Sequence, residues 1–394
     1  VIATRPIPPD ELAIVGGGCA GLSLAVRLLD RFPDARVTIF DPRRSYENDR
    51  SWCFWDFGDD PRGYPIAHRW TSAIVRGPGR EVELDCAGRP YCHVRAGDFY
   101  EWALERLRAS GRATLELGAA VREIDDTLAG VIVRATSHDG RAFDRAFSMV
   151  FDGRPPERGG SAQDAASLTQ AFVGHEVEFD EDVLDSERVT LMDFRVDQSR
   201  GLRFVYVLPF TPRRGLVETT YLTPGLDQAS IDEREITDYC ETTLGRPPCG
   251  LIRVERGALP MTTAPLGPPS TRHIWRIGTR AGIARASTGY AFDAIQRDAA
   301  RVCDALAARG PRPAAPRPRL LNTLDRMMLS LLASRPEVGP RLFESMFSRA
   351  PAGALIRFLS DRASVGDALA VVRSVPKVAM TSHVLARPGL CVGA

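Results

Sequence analysis

Lysine is almost missing from this chain. Of 51 basic residues in 394, all but Lys377 are arginine, which leaves one position for Schiff-base or lysine-nucleophile chemistry. Long apolar runs are missing too. Nowhere does an uninterrupted stretch approach the roughly 20 residues that span a bilayer as a helix, so no transmembrane segment is expected. The first eleven residues, Val1 to Glu11, hold three prolines and no apolar run, unlike a secretory signal. An excess of one charge is also lacking. Basic and acidic residues number 51 and 50, for a formal net charge of +1, and without a basic run this argues against a nucleic-acid partner. Metal-ligand spacing is absent as well: eight cysteines form no Cys-x-x-Cys motif, and six histidines are dispersed. No metal site is expected, and the cysteines read as reduced thiols of a cytoplasmic protein.

What remains is an ordinary globular composition, 44% hydrophobic and 26% charged, long enough for two or three domains. The opening is the most informative stretch. An apolar strand from Leu12 to Val15 runs into Gly16-Gly17-Gly18-Cys19-Ala20-Gly21, then a helix to Arg31 and a second strand, Arg36 to Phe40, closed by Asp41. Strand, glycine loop, helix, second strand and acid in that order form a dinucleotide-binding fingerprint. Gly16 permits the turn, Gly18 lets backbone approach a pyrophosphate, and Gly21 lets helix and strand pack. Asp41 stands where a carboxylate accepts ribose hydroxyls.

Further on, Asn48-Asp49-Arg50-Ser51-Trp52-Cys53-Phe54-Trp55 is too aromatic for a solvated loop. Asp98 to Leu107 reads as an amphipathic helix capped by Asp98, and strands are expected over 113–124, 131–136 and 146–151, the last running into Asp152-Gly153. Segments 170–180, 189–197, 203–210 and 215–222 alternate apolar and polar residues, as a half-buried antiparallel sheet requires. The strand Ile274 to Ile277 leads through Gly278, Gly282 and Gly289 to a helix from about Phe292 to Ala308. A Pro/Arg-rich linker, Gly310 to Arg319, then precedes helical segments up to the C-terminus.

Together these stretches resemble the bacterial flavin-dependent lycopene β-cyclases. The resemblance rests on the glycine loop, Asn48 to Trp55, Met192-Asp193-Phe194-Arg195, Phe204 to Phe210, Leu216-Val217-Glu218-Thr219-Thr220, Gly257-Ala258-Leu259-Pro260-Met261 and Ser287 to Phe292. It implies an α/β fold: an FAD-binding Rossmann-like domain of the glutathione reductase and aromatic hydroxylase type (10–48, 86–168 and 268–315), a second antiparallel β-sheet domain for substrate (49–85 and 169–267), and C-terminal helices (316–394). It implies reduced FAD as cofactor, NAD(P)H as its reductant, and lycopene or a related linear carotenoid as the molecule cyclised. Three positions depart from the family pattern. Thr219 replaces a second acid, Ala286 replaces a proline, and His175 stands where relatives often carry Trp.

Cyclising a polyene requires an acid, a wall that tolerates a carbocation, and a base. Glu218, in an apolar run, is the candidate acid, because burial holds a proton on a carboxyl near neutral pH; the plainer alternative is an ion pair with Arg213 or Arg214. Asp49 and Arg50 are candidates to accept the released proton and to hold the flavin anion, or else simply pair with each other. Asp193 and Arg195 read as a structural pair. Trp52, Trp55, Phe204, Tyr206, Phe210, Tyr290 and Phe292 divide between core and substrate lining. Gly16, Gly18, Gly21, Asp41, Arg50, Asp152, Gly278, Gly282 and Gly289 are the expected cofactor contacts. The C-terminal helices, with Met327, Met328, Leu329, Phe343, Met346, Phe347, Ile356 and Phe358, read equally as a cap on the core or as a peripheral membrane contact. A redox flavoenzyme of the same fold, monooxygenase or polyprenyl reductase, and a non-catalytic isoprenoid carrier are the rivals. Gly278-Thr279 weighs against hydroxylation, where Gly-Asp is usual.

Overall fold

A computed structural model describes residues 11–60, 63–86, 88–155, 167–225, 227–314 and 317–376. Lys377 and Cys391 lie outside them, as does most of the N-terminal segment. Strand β1 (Glu11–Val15) and helix α1 (Cys19–Arg31) lead to β2 (Arg36–Asp41). Leu22, Ala25, Leu28 and Leu29 fall on one face of α1 and are at most 4% exposed, the period of an amphipathic helix packed on a sheet. The chain continues through β3 (Ser51–Trp55), β4 (His68–Trp70), β5 (Ser72–Arg76), β6 (Glu81–Asp85), β7 (Tyr91–Arg95), α2 (Ala96–Ser110) and β8 (Ala113–Leu117). Asp98 does not cap α2. Arg95 holds the cap position, and Asp98 lies inside the first turn, where its charge still complements the helix dipole.

Next come β9 (Ala120–Thr127), β10 (Gly130–Thr136), β11 (Ala142–Phe147) and β12 (Met149–Asp152). The strand expected over 113–124 is broken at Gly118, whose φ of 72° turns the chain, and that expected over 146–151 is likewise two strands. The five-stranded parallel sheet runs β18-β12-β1-β2-β8, with β18 (Ile274–Arg276) joining late. This is a Rossmann-like layer, and helix α4 (Phe292–Ala307) follows it.

The second large layer is a seven-stranded sheet, β17-β13-β16-β15-β14-β5-β6. Its later strands are β13 (Leu168–Glu178), β14 (Arg188–Asp193), β15 (Leu202–Thr211), β16 (Arg214–Thr223) and β17 (Gly250–Met261). It is not wholly antiparallel, since β14 pairs in parallel with β5. Period-two alternation sorts its side chains. Val205, Val207, Val217 and Tyr221 face the short helix α3 (Arg234–Thr242), while Phe204, Leu208, Leu216 and Leu222 face the other way. Neither β17 nor α3 is expected from hydrophobic pattern.

Against that second face lie α5 (Arg319–Ser334), α6 (Gly339–Arg349), α7 (Ala352–Leu359) and α8 (Val365–Ser374). Leu329, Phe343, Met346, Phe347, Ile356 and Phe358 are buried in one core with strands of the sheet. Those six residues are a cap, because the sheet face beneath them is apolar and would otherwise meet water. Among the described residues, no helix is long and apolar enough to cross a membrane.

Candidate active site

The glycine loop shapes the first wall of a cavity of about 550 Å³. Gly16 has φ of 104°, a conformation that glycine adopts without the usual steric penalty. A Cβ on Gly21 would lie 1.9 Å from the Gly16 carbonyl oxygen, so only glycine lets α1 start against this turn. Gly18 caps α1 without any side-chain bond, and no acid occupies the first turn. The helix therefore offers free N–H groups and its positive end to an anion. That is the donor set a dinucleotide pyrophosphate fits.

Asp41 braces this cradle rather than lining the cavity. Its Oδ2 accepts the Gly17 N–H at 2.7 Å, and its Oδ1 accepts both Arg43 N–H and Nε–H at 2.9 Å. The guanidinium thus fixed does reach the cavity, stacked over Tyr46 and Tyr100 at 4.9 and 5.4 Å. Arg43 is a cavity cation that sequence reasoning missed, although it stands two residues beyond the expected acid.

Asp152 is likewise behind the wall, paired with Arg154 at 2.9 Å and Arg280 at 3.0 Å, while Gly153 and Arg154 line it. Gly278 and Gly289 also line it, and added Cβ atoms there would come within 2.8 Å of Ala20 and 2.9 Å of Gln170. Gly282 does not. It ends a short turn with φ of 70° and has open space around it.

Strand β3 carries the aromatic loop into the same cavity. Trp52 stacks on Phe292, ring centres 5.7 Å apart. Asp49 and Arg50 line the cavity but turn to different partners: Asp49 accepts the Tyr100 hydroxyl at 3.2 Å, and Arg50 donates to the Arg256 carbonyl at 2.7 Å. Trp52, Phe204, Tyr206, Tyr290 and Phe292 form lining. Trp55 and Phe210 do not. Trp55 is 1% exposed, packed against Tyr91 and Tyr290, and Phe210, past the Pro209 irregularity in β15, stacks on His68 and His93. Hydropathy marks both as buried but cannot say behind which wall.

Glu218 points into the cavity from β16, in register with Tyr206 on one side and Gly174 on the other. It is 9% exposed and accepts the Thr220 hydroxyl at 2.9 Å. Neither expected arginine reaches it. Arg213 pairs with Asp182 at 2.6 Å, and Arg214 donates to Glu176 at 2.8 Å. The carboxyl instead faces a second glutamate, Glu255 of β17, which also lines the cavity. Burial, then repulsion from Glu255, raises the Glu218 pKa well above the ordinary carboxylate range. Glu255 is 4% exposed and accepts from Arg253 at 2.6 Å and Ser51 at 2.8 Å. It was not anticipated, although Arg253-Val254-Glu255 puts base and acid on one strand face.

The two family departures nearby point away from the cavity. His175 bonds Glu233 at 2.9 Å and Thr219 accepts from Arg203 at 2.9 Å, both on the α3 side of the sheet, so neither replacement reshapes the lining. Asp193 and Arg195 form a two-pronged pair at 3.0 and 2.8 Å. At the far end, Met328 of α5, Phe343 and Met346 of α6 and Phe358 of α7 complete the lining. One chamber thus joins a polar cradle, a buried carboxyl and an apolar end.

Comparison with known proteins places the chain. Over 96% of this chain and 99% of the other, the fold superposes on a flavoprotein/dehydrogenase from Cytophaga hutchinsonii with a TM-score of 0.67 at 9% identity. The chain is 28% identical to a lycopene beta-cyclase from Paracoccus sp. (strain N81106 / MBIC 01143), covering 96% of this chain and 97% of the relative. It is 29% identical to the lycopene beta-cyclase of Pantoea ananas over 72% of each. The sequence profile described as "Lycopene cyclase protein" matches residues 11–385, nearly the whole length, glycine cradle, Glu218 strand and helical cap included; the chain belongs to the lycopene cyclase family.

Proposed function

We propose that this protein is a lycopene β-cyclase, closing β-ionone rings on the linear ends of lycopene with no net oxidation or reduction. The observation that carries the reading is Glu218: a nearly buried carboxyl, its pKa raised by burial and by Glu255, in a chamber that runs from a nucleotide cradle to an apolar end. The names of the relatives support the substrate.

In this reading the Glu218 carboxyl gives its proton to the terminal double bond of the polyene. The chain end folds, a carbon–carbon bond forms, and the ring cation loses a proton to become an alkene, so nothing is consumed. Trp52, Phe204, Tyr206, Tyr290 and Phe292 present ring faces that favour a passing positive charge. Asp49 lies where it can accept the released proton. The apolar end under α5 to α7 holds the remainder of the chain and excludes water, which would otherwise trap the cation.

The cradle of Gly16, Gly18 and Gly21 and the α1 N-terminus suit FAD, with Arg43, Arg50, Gly278 and Gly289 as further contacts. Bound and reduced, with NAD(P)H as the electron source, FAD supplies negative charge beside the cation, an electrostatic contribution rather than a redox one. Carotenoid entry from a bilayer is supported by Val365, Leu369 and Val372, exposed at 67, 46 and 40% at helical spacing along α8. Peripheral membrane attachment through this face is part of the proposal.

Expression in a lycopene-producing host tests the reading. The pigment is expected to turn from red to orange with its mass unchanged. A gain of one oxygen or two hydrogens would establish the redox rival, and unaltered lycopene the carrier.

A further inference from the structure

We propose that Glu255 is a positioning residue for the acid: its carboxylate accepts the hydrogen of the Glu218 carboxyl across the gap left by Gly174, so that the two glutamates hold one proton between them. The inference rests on the reading of Glu218 as the proton donor.

The gap is a matter of register. Gly174 of β13 stands between Glu218 of β16 and Glu255 of β17, paired with both. Strands two apart are separated by roughly 9 to 10 Å, and a side chain on the central strand would ordinarily fill that space. Here there is none. A Cβ at Gly174 would lie 3.3 Å from the Glu218 Cβ and 3.2 Å from the Glu255 Cγ, so the two acidic side chains lean together over the bare backbone. Its backbone needs no glycine, because φ at this position is not in the left-handed region. The missing side chain is what matters.

Glu255 is the ionised member. Arg253 and Ser51 both bond its Oε2, which leaves Oε1 to receive a hydrogen from Glu218. Arg253 is shared with Glu176, at 3.1 Å, and Glu176 with the outer Arg214. Glu218, in contrast, has only a hydroxyl donor among the described residues, Thr220. The neutral form of one carboxyl beside the charged form of the other is the arrangement that two close acids in a dry site adopt.

The other groups facing the pair leave this assignment intact. They are Cys53 of β3, Tyr206 of β15, Tyr91 and Tyr290, with Arg50 further along the lining. Burial lifts the Cys53 thiol and the three phenols, so they stay neutral. Once Glu218 has donated its proton to the polyene, two adjacent carboxylates face a single shared arginine. Their repulsion makes the pair a strong acceptor, and the proton that the ring gives up to Asp49 restores it on transfer along the lining. Donation and recovery balance, and the pair resets without a co-reactant.

The experiment is the pH profile of cyclisation by the flavin-loaded enzyme, for the wild type, E255Q, E255D and E218Q. Removing the Glu255 charge is expected to move the alkaline limb of kcat to lower pH by about one unit or more, with KM and flavin content little changed. E255D keeps the charge on a shorter arm and places the limb between those two. An E255Q limb at the wild-type position, whatever the rate, would overturn the proposal and leave Glu255 a structural residue. Should E255Q not retain flavin, E255D decides: a limb displaced to lower pH supports the shared proton, and an unmoved one overturns it. Near-normal turnover by E218Q is a different failure, since it removes Glu218 itself as the donor.

Discussion

Two buried clusters of acids show opposite ways of handling charge. Where the helical cap meets the Rossmann-like layer, Arg285 and Asp325 are 1 and 2% exposed and pair at 2.9 Å, Arg317 pairs with Asp361 at 2.8 Å, and Ser287 donates to Asp325 at 2.7 Å. Each acid there has its own arginine. At the cavity wall two glutamates face each other, but of the pair only Glu255 is bonded by Arg253, and Glu218 has no arginine within bonding range among the described residues. In a chain so rich in arginine this is a selective omission. The first arrangement holds two layers together, and the second leaves a carboxyl that keeps its proton.

Substituting Glu218 gives the largest expected contrast. E218Q preserves shape and removes the transferable proton, so kcat is expected to fall by about 10² to 10⁴, the usual worth of a general acid. Flavin absorbance is expected to stay near wild type, and so is the thermal midpoint at about pH 5 and below, because a neutral amide replaces a neutral acid. A variant that lost flavin or stability in proportion to rate would show that Glu218 supports the fold, as its counterparts at the other cluster do.

The reverse result is expected from Asp325→Ala. Arg285 would be left buried with the Ser287 hydroxyl at 3.2 Å and, for counter-charge, Asp361 at 3.7 Å, and breaking such a pair costs about 3 to 5 kcal/mol. Denaturant unfolding of the holoenzyme measures it. Turnover per flavin-loaded molecule is expected to remain close to wild type, since neither residue lines the chamber. Loss of turnover without loss of stability would erase the distinction between the clusters.

How far these clusters can be read in the sequence differs in the same way. The glycine cradle is legible because its parts are contiguous: Gly16, Gly18 and Gly21 act on their own turn and helix, and Asp41 lies one βα unit on. Even there the pattern locates Asp41 without disclosing that its carboxylate is engaged by Gly17 and Arg43. Glu218 was found through resemblance and an apolar neighbourhood. Glu255 was not, because the relation between the two is created by strand register, through a glycine on a third strand, and no local pattern records which residues meet across a sheet. The same limit explains Trp55 and Phe210, whose burial was evident and whose wall was not. Strand β17 carries no clear strand signal because arginines and a glutamate interrupt its apolar alternation, and of those polar residues Glu255 is the one that lines the chamber.

The smallest expected effect sharpens the comparison most. Glu218 and Glu176 are both buried, at 9 and 2% exposure, and have shifts of opposite sign from the same ordinary value of 4.5. Burial and Glu255 raise Glu218, so the folded protein keeps a proton that the unfolded chain releases once pH passes that value. Its contribution to stability is therefore full below about 4.5 and declines as pH rises toward its folded pKa. For Glu176, burial acts upward but the bonds from Arg214 and Arg253 outweigh it and lower the pKa. Its contribution is present above the ordinary value and is lost as pH falls through the folded pKa. Each fully offset group changes stability by about 1.4 kcal/mol per pH unit. Unfolding midpoints of the wild type relative to E218Q, taken between about pH 5 and 7, are therefore expected to drift downward with rising pH. Relative to E176Q, the wild type is expected to lose its advantage only below that window. If both differences ran in one direction, the two glutamates would share one electrostatic environment, and the feature that sets Glu218 apart, a carboxyl facing a carboxylate instead of an arginine, would not exist in solution.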